Sequence, residues 1–160
     1  MEYNLVEQWL RKDPMRWISG ALAGVLAGAI AMVAAGMIAS QSGLEFLFPL
    51  KLIGTIPLGA QATELGFTPG AIAGGVVLGI LCSVLGMIYS HFVFSNSLDA
   101  LLAMGLVWGS FSWIFIWNLF MPSFRTIFNA HASSGVAFFI CLLFGSSLSS
   151  VKLFYRALKS

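Results

Sequence analysis

The sequence predicts an all-α, polytopic membrane protein: a four-transmembrane-helix bundle with an N-terminal amphipathic helix and a long apolar outer loop. Three observations carry that prediction. Of the 160 residues 59% are apolar and only 9% charged, with a mean hydropathy of +0.93. A soluble domain needs charged residues over about a quarter of its length, so this chain has no water-facing shell to offer. Four apolar runs reach the roughly 20 residues that carry a helix across a hydrocarbon core about 30 Å thick. None has an ionisable group near its middle, since His91, Asp99 and Lys152 fall at ends where side chains reach the headgroups. The runs are continuous, unlike the short alternating strands of a β-barrel.

Residues 1–16 place Leu5, Val6, Trp9 and Leu10 at helical spacing among Glu2, Glu7, Arg11 and Lys12, and the pattern stops near Pro14. This segment reads as an amphipathic helix on the cytoplasmic surface, or as a docking helix for a partner. The transmembrane domain is expected over 17–155, with spans at about 17–39, 71–93, 98–120 and 132–151 and a short cytoplasmic tail at 156–160. The first run is too long for a signal peptide and lacks a small-residue cleavage site. Arg11, Lys12 and Arg16 precede the first span and Lys152, Arg156 and Lys159 end or follow the fourth, whereas the opposite side holds Lys51 and Arg125. Positive charge is retained inside, so both termini are expected in the cytoplasm.

The outer loop, 40–70, carries Pro49, Pro57 and Pro69 with Gly43, Gly54, Gly59, Gly66 and Gly70, which forbid one continuous helix. It is nevertheless rich in Phe, Leu and Ile between 44 and 58, and is expected in the outer interface or dipping partway into the bilayer under cover of protein.

Close packing is signalled by Gly20, Gly24 and Gly28 along one face of span one, by Gly75 and Gly79 in span two, and by Gly105 and Gly109 in span three. Small residues let helix backbones approach where lipid removes the hydrophobic drive, so these stripes predict an internal bundle or, for span one, a homodimer seam. Spans two and four align Gly75 with Gly135, Val76 with Val136 and Ile80 with Ile140, as a duplicated hairpin would.

The glycine-rich first span, the Pro-containing outer loop, Gly105-Leu-Val-Trp-Gly109 running through Trp117 to Met121-Pro122, and His131-x-x-x-Gly135 together resemble the small four-helix bacterial inner-membrane proteins of the YagU-like type. The likeness covers most of 17–150 through short motifs, and implies four helices and a bacterial inner (cytoplasmic) membrane, with no established chemistry. Where that family often opens its second span with His, this chain has Ala71, so no two-histidine site is implied.

The residues offer little chemistry of their own. Glu64, Arg125 and His131, with Glu45 and Lys51, gather on the outer side, either as ion pairs that fasten the loop to the bundle or as a vestibule for a small polar ligand, ion or quinone headgroup. His91 and His131 are expected at opposite ends of their spans, so one haem iron cannot take both. Cys82 and Cys141 lie at mid-span without ligand spacing and read as small packing residues. Trp108 and Trp113 sit deep in span three, and with Trp9 and Trp117 are the expected contacts for a partner or lipid.

Phosphate-binding loops, nucleophile elbows, zinc-protease motifs and paired intramembrane carboxylates are missing from the sequence. A net charge of +2 without clustering excludes nucleic acid as a partner. The expectation is a non-catalytic accessory, assembly or stabilising subunit, neither an enzyme nor a cofactor protein, with bound lipid allowed. Its partners would be a larger membrane complex or copies of itself, besides the lipid bilayer. The alternatives are a small oligomeric channel or transporter with an outer polar vestibule, and a quinone- or haem-associated electron-transfer subunit.

Overall fold

The structure, a computed structural model, describes residues 13–64, 69–93, 97–116 and 133–159. The amphipathic segment predicted at 1–16, Trp9 included, lies outside the described residues as far as residue 12. Among the described residues there is no strand. Four helices are long and apolar enough to cross a membrane.

The first, α1 (Pro14–Gln41), starts where Asp13 accepts a hydrogen bond from the Met15 N–H at 3.1 Å, with Pro14 in the first turn. It ends at Gly43, whose φ of +79° lets the Leu44 N–H donate to the Ala39 carbonyl at 2.9 Å and its own N–H donate to Ser40. The outer loop then proves largely helical. Phe48–Leu58 forms α2, eleven residues long, about half of what a crossing needs. Pro49 stands in its first turn, where no N–H is wanted, and Pro57 near its end, where Gly59 at φ +72° stops the helix. A 3-10 turn, Ala60–Thr63, follows.

The second crossing, α3 (Pro69–Phe92), and α1 both begin slightly before the apolar runs that predict them. Crossing three, α4 (Leu98–Phe115), is capped by Ser97, whose hydroxyl accepts from the Ala100 N–H, and has Asp99 in its first turn against the positive end of the helix. Crossing four starts as α5 (Ser134–Ser147), capped by Ser133. It continues through a 3-10 turn (Leu148–Ser150) into α6 (Val151–Lys159), so the segment assigned to a tail is helical up to Lys159.

Neighbouring crossings run antiparallel. α1 packs along α3 on one side and along α5 and α6 on the other, while α4 packs along α5. The ends near Asp13, Val93, Ser97 and Lys159 therefore share one end of the bundle, and α2 lies against the far half of α3. The core is small in volume per residue: Ala23, Ala27, Ala31 and Cys82 meet Tyr89, Leu101, Phe144 and Leu148. Large apolar side chains point outward instead, including Leu22, Val33, Val76, Ile80, Val107 and Phe111. Small residues inside and large aliphatic ones outside invert the logic of a soluble helix and suit a lipid surround.

Candidate functional site

Two seams of backbone contact hold the hairpins together. In the first hairpin a Cβ on Gly24 would strike the Cys82 carbonyl, and one on Gly20 would strike Ser90 and Gly86. At Gly28 it would come 2.7 Å from the Cys82 sulfur. In the second hairpin Gly105 meets the carbonyl of Gly145, and Gly109 that of Cys141. Each hairpin thus sets a Gly-x-x-x-Gly pair against a Cys-x-x-x-Gly pair, Cys82 and Gly86 in one, Cys141 and Gly145 in the other.

This pairing corrects the repeat register read from the sequence by one residue, because it aligns Cys82 with Cys141 rather than Gly75 with Gly135. It also corrects Gly75 and Gly79, at which a Cβ would meet no described atom within 4 Å. Gly75 lies about 100° round the helix from Gly74, and it is Gly74 that meets the Leu50 carbonyl and Gly54 of α2. The loop glycines Gly54 and Gly70, expected only to break helices, press backbone to backbone and bind α2 to α3.

The second hairpin departs from the first where it is aromatic. Trp113, standing where the repeat puts Gly28, packs edge-on against Phe138 with ring centroids 5.2 Å apart. Trp108 and Tyr89 stand where it puts Ala23 and Leu148, and their rings lie 6.2 Å apart between α4 and α3. The Tyr89 hydroxyl donates to the Leu101 carbonyl at 2.8 Å inside the bundle. Trp108, expected as a partner or lipid contact, is half-buried and packs one side against the core, while Val107 and Phe111 beside it are exposed. The indole N–H groups of Trp108 and Trp113 and the Ser112 hydroxyl are buried with no partner among the described residues.

At the α2 end one cation is fully enclosed. Lys51 has no exposed surface; its ammonium donates to the Glu45 carboxylate and, at 2.6 Å, to the Glu64 carbonyl. This joins the turn before α2 to the turn after it, all within the 40–70 loop, so the pair staples the loop to itself rather than to the bundle as expected. Glu64 itself is exposed; its carbonyl accepts from Lys51 and its backbone N–H donates to Gln61. Arg125, His131 and Trp117 lie outside the described residues, which leaves Glu64 as the one described member of the expected vestibule trio.

At the opposite end Tyr155 of α6 donates to Asp13, and the Arg16 guanidinium donates to the Val93 carbonyl. Tyr155, first among several contributions, holds the Asp13 carboxyl below its ordinary range. Among the described residues no cluster of three His, Cys, Asp or Glu side chains is placed to hold a metal ion. No family model matches the chain, nor does any curated protein or solved structure match it significantly. Sequence reasoning missed the inward Tyr89, Gly74 and the Cys-x-x-x-Gly pairs, although the last occur twice in the chain and were there to be read.

Proposed function

We propose that this chain is a non-catalytic accessory, assembly or stabilising subunit of a larger complex in a bacterial inner membrane, with both termini in the cytoplasm. The observation that carries the reading is the backbone-to-backbone contact within each hairpin, which leaves the chain's variety of side chains on its outer faces. The resemblance to YagU-like proteins belongs to the same proposal.

Four of the hydroxyls that would line a polar route are turned to their own helices, while those of Ser112 and Ser150 are buried with no partner among the described residues. Ser83 donates to Gly79, Ser110 to Leu106, and Ser146 and Ser147 to Leu143. A side chain bonded to the preceding turn offers little to a passing ion, which weighs for the subunit and against the channel. Extraction in a mild detergent followed by native mass spectrometry tests the reading: a heterologous membrane protein of fixed stoichiometry is expected. A chain recovered only as a monomer or homo-oligomer overturns it.

A further inference from the structure

The two glycine seams divide the bundle into two bodies, and the boundary between them falls inside crossing four. Gly20, Gly24 and Gly28 of α1 all meet α3, and Gly105 and Gly109 of α4 meet α5. None of these glycines joins one hairpin to the other. Between the hairpins the contacts run through side chains: Ala23, Ala27 and Ala31 of α1 share the core with Phe144 of α5, and Tyr89 of α3 reaches the Leu101 carbonyl of α4. Within crossing four, α5 is seamed to α4 as far as Gly145, whereas α6 packs along α1 and is tied there by the bond from Tyr155 to Asp13. The 3-10 turn Leu148–Ser150 lies between those two attachments.

At that turn the α-helical ladder lapses. The Ser146 and Ser147 hydroxyls both donate to the Leu143 carbonyl, at 3.0 and 2.8 Å, and so compete with the main chain for it. The Val151 N–H donates only three residues back, to Leu148. The Ser150 hydroxyl is buried with no partner among the described residues. Glycine and serine in succession, hydroxyls turned onto the ladder and a 3-10 interruption are the features at which a long helix bends. We propose that the α4–α5 hairpin pivots as one body against α1, α3 and α6, with Leu148–Ser150 as the hinge. Tyr89 holds the start of α4 to α3 near the Asp13 end, so the swing grows toward the end that carries α2. Side-chain contacts between α1 and α5 can slide, while neither glycine seam has to break. Duplicated membrane repeats move in this manner, one as a body against the other.

Spin-label distances measured by pulsed electron resonance in nanodiscs test the hinge, on the full chain carrying Cys82→Ala and Cys141→Ala. Val33→Cys with Phe139→Cys spans the two hairpins, while Val33→Cys with Val76→Cys and Ile114→Cys with Phe139→Cys each lie within one. All four labelled side chains are exposed. A pivot of about 15° carries Phe139, about 13 Å along the helix from Leu148, through about 3 Å. The pair across the hairpins should therefore give a distance distribution about twice as wide as either pair within one. Ser146→Ala, Ser147→Ala and Ser150→Ala together favour a regular helix through the turn and should bring the wide distribution down to the width of the other two. Circular dichroism confirms that this variant keeps its helix content. A distribution across the hairpins as narrow as those within them overturns the proposal, whatever the variant does. So does a width that the helical variant retains, which would place the motion elsewhere in the chain.

Discussion

Tyr155 and Asp13, at opposite ends of the chain, are joined by a hydrogen bond of 2.8 Å from the phenol to the carboxylate. The same carboxylate caps α1, so the last helix is tied to the start of the first. The Tyr155 bond is the main reason the Asp13 carboxyl sits below its ordinary value of 3.8, with the Arg16 amide, Lys159 and the Met15 amide adding to it against partial desolvation.

A depressed carboxyl stabilises the fold fully above its unfolded value and loses that contribution as pH falls through the lower folded value. Acid should therefore loosen the α1–α6 contact only below about pH 3.8. Tyr155→Phe should remove most of that sensitivity and cost about 1 kcal/mol or less at neutral pH, as expected for one partly exposed bond. Thermal unfolding of the detergent-solubilised protein from pH 7 downward measures both.

Lys51 offers a larger effect, because it is enclosed and paired. Lys51→Met leaves the Glu45 carboxylate without its cation and should cost about 3–5 kcal/mol, whereas the double variant Lys51→Met/Glu45→Leu should recover much of that loss. A double-mutant cycle on unfolding midpoints checks the sign: a double variant worse than the single would refute the pairing as the source of the cost.

Glycines that look alike in the sequence should behave differently. Gly24→Leu and Gly109→Leu drive a side chain into a facing backbone carbonyl, which cannot move aside; each should cost about 3 kcal/mol or more, at or beyond the upper end of ordinary overpacking. Gly75→Leu and Gly79→Leu enter open space and should be tolerated, or gain slightly in helix propensity. Expression level and resistance to unfolding in SDS distinguish the two pairs.

Trp108 should report a core position. Trp108→Ala should cost about 3–5 kcal/mol, but Trp108→Phe far less, because its indole N–H has no partner among the described residues to lose. If alanine there were harmless, the ring would face lipid and the packing against Tyr89 would be wrong.

Much of this arrangement was legible in the residues, and the rest was lost for identifiable reasons. Hydropathy located four crossings because a bilayer demands about 20 apolar residues whatever their order. It gave no rotational information, since helices apolar all round have no polar face to mark the outside. That is why Gly75 and Gly79 looked as suited to packing as Gly74 and Gly86, and why the packing of Trp108 against the core was not visible in the sequence. Pro49 and Pro57 hid α2: Pro49 stands in its first turn, where proline does least harm, and Pro57 only one residue before its end, so a helix fits between them. Of the expected vestibule, only Glu64 lies among the described residues, and no reading of spacing could have shown that its carbonyl rather than its carboxylate is used.

The paired hairpins also bear on how the chain is made. The first two crossings close on each other through Gly20, Gly24, Cys82 and Gly86, all of which are synthesised before residue 97. Their seam precedes α5 and α6 in the order of synthesis, and α1 then presents a finished wall on which those two helices settle. Insertion is thereby ordered in time, the early half templating the late one.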